Sequence, residues 1–440
     1  MFSKENFHSV KLDKDKCKGC TNCIKNCPTE AIRVRNGKAY IINDRCIDCG
    51  ECIRVCPYHA KKAIVDNFSK INDFKFKIAL PAPSFYAQFK KNQDVDYILT
   101  ALKKIGFDDV FEVSKAADVI TKATKVLIES GQVKEPVISS ACPAIVKLIR
   151  VRFPNLIDNI LPLIAPMELA SYLARKNAVE KYGYKPEEVG TFFISPCPAK
   201  ATVVKSIVDK NYRVDGVLPM NEVYIKVLNV LGDIKEKEIT SSSTVYGINW
   251  GKSGGESAAL CAPSKNTRYL SVDGINNVIN ILEQLEDEQL KDVDFVEGNA
   301  CVNGCIGGAL TVENSFLSRI YLNRVTENAS KVKDEVLVDL DVVINKDKYE
   351  HIPIYKLSDD LSKAMSMMDE MEKIINMLPG IDCGSCGAPT CLDIAEDIIR
   401  YKASIYDCVF KLRERVRSLV TEMVELQNHM PPPLRTENKE

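Results

Sequence analysis

Eight of the seventeen cysteines lie in two runs of identical spacing, CKGCTNCIKNCP (Cys17, Cys20, Cys23, Cys27) and CIDCGECIRVCP (Cys46, Cys49, Cys52, Cys56). Each reads C-x2-C-x2-C-x3-C-P, a spacing that wraps a multi-iron centre and lends the fourth cysteine to the other run's centre. The expected pair of 4Fe-4S cubanes is Cys17, Cys20, Cys23 and Cys56 on one, Cys46, Cys49, Cys52 and Cys27 on the other. A lone four-thiolate zinc needs neither the tight triple nor the proline. Such centres move electrons.

A second set lies near the C-terminus, GIDCGSCGAPTC with SIYDC: Cys383, Cys386, Cys391 and Cys408, spaced C-x2-C-x4-C-x16-C. Gly384 and Gly387 let the backbone fold tightly around an anion. A helix over CLDIAEDIIRYKASIYDC would carry Cys408 back to the set. The pattern resembles the small four-cysteine 4Fe-4S domain appended to corrinoid iron-sulfur proteins and some redox sensors, which makes a third cubane the expectation. Four thiolates also suit a structural zinc.

The remaining cysteines are scattered: Cys142 in VISSACPAIVK, Cys197 in FFISPCPAK, Cys301 and Cys305 in NACVNGCIGG, and Cys261 in GGESAALCAP. Isolated cysteines are usually small buried hydrophobes, and Cys261 is read that way. The other four share a context. EPVISSAC and GTFFISPC read as buried strands ending at the cysteine, and PAIVKLIRVRF as a helix with proline in its first turn. A thiolate between a strand's C-terminal end and a helix N-terminus is stabilised by backbone amides, and ligands of open α/β sheets bind there. Four such thiolates would hold one more cubane.

These residues resemble the three catalytic-domain signatures of FeFe hydrogenases: Cys142, Pro143 and Ala144 match the end of the first, Pro196, Cys197 and Lys200 the second, and Ala300, Cys301, Gly304 and Cys305 the third. LPAPSFYA and GKSGGESAA are weaker echoes of the same family. The resemblance implies an H-cluster, a 4Fe-4S cubane joined to a two-iron unit that carries CO, cyanide and an azadithiolate amine. It makes Cys142, Cys197, Cys301 and Cys305 the ligands, with Cys305 as the bridge. Lys200, Ser84 and the backbone near Pro83 would donate to cyanide. Iron would take hydride from H2 while the amine takes the proton.

Ala141 departs from the family's fast members, which carry a proton-relaying cysteine at that position; a methyl group has no proton to give. The relay glutamates also look replaced, by Lys122, Ala123 and Thr124, with Glu129 about a turn too late. Ser195 and Asn299 stand where methionines flank the two-iron unit, which would alter its potential and hydrogen bonding. The expectation is a slow, reversible hydrogenase of the sensory branch, its clusters following H2 or redox state. A ferredoxin-linked metabolic hydrogenase and a narf-like protein with a plain cubane are the alternatives.

The elements that must position these residues make an α/β catalytic (H-cluster) domain, with an N-terminal α+β bacterial-type ferredoxin domain and a C-terminal, mainly helical iron-sulfur domain ending in a coiled coil. The boundaries expected are 1–73 for the ferredoxin domain, 74–358 for the catalytic domain, 359–408 for the last cluster domain, 409–428 for a dimer helix and 429–440 for a disordered tail. EVLVDLDVVINKDKYEHIPIYKL reads as a hairpin or closing strands, and SDDLSKAMSMMDEMEKIINMLPG as a serine-capped helix. Ile405, Val409, Leu412, Val416, Leu419, Met423 and Leu426 recur at heptad intervals, either as a parallel dimer seam or as a helix folded back on its own domain.

At 440 residues several domains are expected. A formal charge of -1 gives no electrostatic case for nucleic acid or anionic membrane. With no apolar span of 18 residues and no signal-like start, a cytoplasmic protein is expected. Its partners would be H2 and protons, ferredoxin or another small electron carrier, hydrogenase maturation proteins and a second copy of the chain.

Overall fold

The computed structural model describes residues 7–90, 94–207, 209–261, 268–327, 329–330 and 339–429. The chain forms two compact units, Met1–Lys11 with Arg45–Arg54 and Lys61–Ile352, and Leu12–Asp44 with Val55–Ala60 and Pro353–Glu440.

In the first unit two parallel sheets carry the core. One has the strand order Asp109–Val110, Phe76–Pro81, Val189–Ser195, Gly216–Pro219, and the other Tyr269–Asp273, Phe295–Asn299, Val137–Ile138. FKIALP and VGTFFIS are nearly continuous apolar runs because a parallel sheet is covered on both faces, and Leu80, Phe192 and Ile194 are fully buried. Pro166–Tyr182 packs on the first sheet and Val113–Glu129 packs on that helix, burying Leu169 and Ala174 on the former and Ile120 and Leu127 on the latter. Four of these strands lead at their C-terminal ends into candidate site residues.

The hairpin or closing strands expected over 331–358 are corrected in part. Residues 331–338 lie outside the described residues, while Leu340–Val343 is a short helix capped by the Asp339 side chain. The segment still meets the core, through the Ile164 amide donating to the Val343 carbonyl at 3.0 Å.

In the second unit Ile32–Arg35 pairs antiparallel with Lys38–Ile41. Asn36 and Gly37 join them at φ 51° and 71°, the backbone that a two-residue hairpin turn requires. Helix Leu361–Met377 is capped by Asp360, whose carboxylate accepts the Lys363 amide at 2.7 Å, and not by the serine expected from sequence. The aspartate stands directly before the first helical residue. Helix Cys391–Ile399 also stops early: Tyr401 adopts φ 58°, and Cys408 instead precedes the next helix, Val409–Asn428. That last helix has no buried residue, and the expected tail beyond residue 429 lies outside the described residues.

Candidate active site

Four strand ends of the first unit carry the site. Phe76–Pro81 leads into Pro83 and Ser84, Val137–Ile138 into Cys142, Val189–Ser195 into Cys197, and Phe295–Asn299 into Cys301. Cys142 and Cys197 are the N-cap residues of helices Pro143–Arg152 and Pro198–Ser206, each with proline at the first turn. Proline lacks the amide that would be orphaned there, and its fixed φ starts the helix directly after the cysteine.

The loops then interlock at glycines. A Cβ on Gly308 would fall 2.2 Å from the Pro196 carbonyl oxygen, and one on Gly251 would fall 2.9 Å from the Ser84 amide nitrogen. Gly304 has φ 80° and no room beside the Ser253 amide, where a Cβ would be at 2.5 Å. The Leu310 amide donates to the Pro196 carbonyl and the Ile306 amide to the Gly251 carbonyl, each at 2.9 Å. Segments far apart in sequence are thereby held backbone to backbone.

The four scattered sulfurs lie within electrostatic reach of one another. Burial raises the thiol pKa of Cys301 to about 12, the Arg54 guanidinium lowers it, and Cys197 and Cys142 raise it further. Cys305 is pushed up by burial as well, against Lys200 and with Cys197, Cys142 and Cys301 adding to the rise. Four thiolates cannot share a dry pocket unless cations sit among them, which is the demand a metal cluster meets. Among the described residues the only set of three or more ligand atoms mutually within 4.8 Å is His8, Cys46 and Asp48. Cys261, read as a buried hydrophobe, is only partly buried, on helix Gly255–Cys261.

Ser84 is fully buried, and its hydroxyl has no hydrogen-bond partner among the described residues. A buried donor left unmade is costly, so the hydroxyl fits a group with acceptor atoms at this place. Lys200, 8% exposed, donates from Nζ to the Ala141 carbonyl at 3.2 Å.

The family model described as iron only hydrogenase large subunit, C-terminal domain, matches residues 75–309, just over half of the chain. The chain belongs to the iron-only hydrogenase family. A model for a 4Fe-4S dicluster domain matches residues 9–57 of the chain, and one for a putative Fe-S cluster matches residues 378–410. The periplasmic [Fe] hydrogenase large subunit of Nitratidesulfovibrio vulgaris is 33% identical over 215 residues, 44% of this chain and 51% of its own length. Iron hydrogenase 1 of Clostridium pasteurianum is 25% identical over 404 residues, 76% of this chain and 70% of its own. The chain thus spans about half the length of the first relative. A structure of [FeFe]-hydrogenase HydA1 from Chlamydomonas reinhardtii aligns with a TM-score of 0.49 at 14% identity, over 64% of this chain and 95% of that one. Among the described residues of this hydrogenase-family chain, no helix is long and apolar enough to cross a membrane.

The residues expected beside the cysteines are engaged within the protein. Ser195 donates to the Cys197 carbonyl at 2.8 Å and accepts its amide at 3.3 Å, closing the turn that presents the thiol. Asn299 donates to Glu297 at 3.1 Å. On helix Val113–Glu129, Ala123 and Thr124 are buried, with the Thr124 hydroxyl donating to the Ile120 carbonyl at 2.9 Å, and Lys122 is half-buried. Glu129 lies on the surface, 3.7 Å from Lys125, and takes no part in the site.

Three carboxylates and an arginine escaped the sequence reading. The Ala141 amide donates to the Ser139 hydroxyl at 3.2 Å, and that hydroxyl donates to Glu256 at 2.6 Å. Burial, and then the Glu297 carboxylate, raise Glu256 well above the ordinary carboxyl range. Glu297 accepts the Gly254 and Ser257 amides, each at 2.9 Å. Glu168 is raised to about 7 by burial, with Lys200 pulling it down. Arg54 donates to the Gly307 carbonyl at 2.7 Å and pairs with Glu51 at 2.6 Å, tying the Cys49–Cys52 loop to the Cys301–Cys305 loop. A Cβ on Gly50 would be 2.7 Å from Ala309 and 3.3 Å from Pro198. The signal available in sequence was the Glu in GGES; the partners come from loops that only the fold joins.

Proposed function

We propose that the protein is a slow hydrogenase, cleaving H2 reversibly to protons and electrons at an H-cluster held by Cys142, Cys197, Cys301 and Cys305, and that it reports H2 or redox state. The convergence of the four sulfurs around an alanine at position 141 carries this reading. The group, when bound, supplies the hydride-accepting iron and the amine base. The protein's part is to hold it and to manage charge around it. Lys200 sets a cation beside Cys197 and Cys305, and the unpartnered Ser84 hydroxyl supplies a donor. The Cys49–Cys52 loop, packed on the Cys197 and Cys305 segments, offers electrons a short way out. Cys383, Cys386, Cys391 and Cys408 would hold a further cubane.

The test is infrared spectroscopy of the chain after loading with the two-iron precursor. CO and cyanide bands are expected. Their absence leaves a narf-like iron-sulfur scaffold, against which the unpartnered Ser84 hydroxyl speaks.

A second reading, a fast ferredoxin-linked metabolic hydrogenase, is favoured by one observation. The Glu256–Ser139 hydrogen bond brings a proton-holding carboxyl pair to the Ala141 backbone, and such a pair could serve proton transfer in place of the absent thiol. Turnover with dye separates the two. Ferredoxin-type carriers and maturation proteins are the partners proposed, in a cytoplasm that keeps thiols reduced.

We also infer self-association. Val409, Leu412, Val416, Leu419, Met423 and Leu426 are 41% to 67% exposed on a helix of 20 residues. Most helical stability in proteins comes from packing an amphipathic face and not from propensity, and the heptad spacing is the one that buries a seam against a second copy.

A further inference from the structure

The hairpin Ile32–Ile41 holds two cysteine sets of the second unit at once. On one side the Ala39 amide donates to the Cys17 sulfur at 3.4 Å, and Lys38 donates to the Cys17 carbonyl at 2.8 Å. On the other side the Val34 amide donates to the Gly387 carbonyl at 2.7 Å, and Arg35 donates to the Cys386 carbonyl at 2.9 Å. Gly387, at φ 80°, has no space for a side chain, since a Cβ would fall 1.9 Å from the Val34 carbonyl oxygen.

The clamp is ionic and buried at Arg33. Arg33 is fully buried, 2.8 Å from Asp393 and 2.9 Å from Asp397, and Arg35 reaches Asp397 at 2.7 Å. Residues two apart on a strand share a face, and residues four apart on a helix do too. One face of the hairpin thus meets one face of helix Cys391–Ile399, which begins with a ligand cysteine. A buried ionic network adds little stability compared with apolar packing, and its best-attested use is to fix one register. Here the register brings the two ligand loops together. A Cβ on Gly384, the neighbour of Cys383, would lie 3.3 Å from Lys25 and 3.5 Å from Ile24, the neighbour of Cys23.

We propose that the centre on Cys383, Cys386, Cys391 and Cys408 exchanges electrons directly with the centre on Cys17, Cys20, Cys23 and Cys56, through the contact that Arg33 and Arg35 hold in register. This rests on the reading of both quartets as 4Fe-4S centres and not on H2 chemistry. One electron leaves the reduced centre, which is oxidised, and reduces the other; no bond changes and no proton moves. The C-terminal centre is then a branch of the electron chain, so its redox state follows that of the ferredoxin centre. Arg33 and Arg35 are positioning residues.

The test compares the dithionite-reduced full chain with Cys391→Ala by iron content and low-temperature electron paramagnetic resonance. The expected result is a loss of about four irons and a difference spectrum broadened by spin–spin interaction. Arg35→Ala, at a side chain already 21% exposed, is expected to keep its iron and lose that broadening, with Arg35→Lys restoring part of it. Loss of the iron with a plain, unbroadened difference spectrum overturns the direct exchange alone. No loss of iron, or zinc in its place, overturns the cubane reading of the C-terminal quartet and the exchange with it.

Discussion

The Lys200 ammonium donates to the carbonyl oxygen of Ala141 at 3.2 Å. The residue whose side chain has lost its proton is therefore still engaged through its backbone, by the same lysine that faces Cys197 and Cys305. Lys200→Ala would leave that carbonyl without its donor and the thiolates without their cation. A charged hydrogen bond is worth about 1.5–3 kcal/mol, so turnover of the loaded protein with dye should fall about ten- to hundredfold. Lys200→Arg should not restore it, because a planar guanidinium cannot replace a point charge. Dye-linked assays of both variants check this, and unchanged rates would remove Lys200 from the site's function.

Ala141→Cys restores a thiol at the head of helix Pro143–Arg152. A positioned proton donor contributes about 10²–10⁴ in rate, so turnover should rise by about a hundredfold if proton delivery limits it. The measurement is H2 evolution with a reduced dye. An unchanged rate would show that the missing thiol is not what makes the protein slow, and the Glu256–Ser139 link would become the route to examine.

Glu168 gives a pH signature. Its raised value of about 7 means that the folded protein holds a proton that the unfolded chain releases near pH 4.5. The contribution is complete below the unfolded value and is lost as pH rises through about 7, at most about 3 kcal/mol. Anaerobic melting of the cluster-loaded chain should show Tm falling as pH rises from about 4.5 to about 7 and levelling off above that. Glu168→Gln should flatten that fall. A variant whose profile parallels the parent's would place the pH dependence elsewhere.

The exposed seam predicts an oligomer that depends on one helix. Removing residues 409–440 should convert a dimer to a monomer in light scattering while the iron content is retained, since Cys408 precedes the cut and helix Val409–Asn428 buries nothing in its own unit. Leu419→Asp, a single charge in the middle of the seam, should do the same. A parent chain that scatters as a monomer would sink the self-association.

Sequence by itself marked the two ferredoxin-type cysteine runs and the C-terminal run, because spacing within a loop is a local property, and it marked Cys142 and Cys197 as helix starts, because Cys-Pro there is readable without a fold. It also marked GTFFIS as a buried strand leading to Cys197, since a strand covered on both faces must be apolar throughout. It misjudged the helix after Cys391, which ends at Ile399 where Tyr401 turns left-handed, because nothing in the periodicity marks that stop. Only the tertiary structure decided what surrounds the cysteines. Glu256 meets Ser139 across 117 positions, and Arg33 meets Asp393 across 360. Each of these partners looks in sequence like an ordinary charged or polar residue. Their pairing arises because desolvating a charge or a hydroxyl is tolerable only beside its complement, and which complement is near depends on chain crossings that no local pattern encodes.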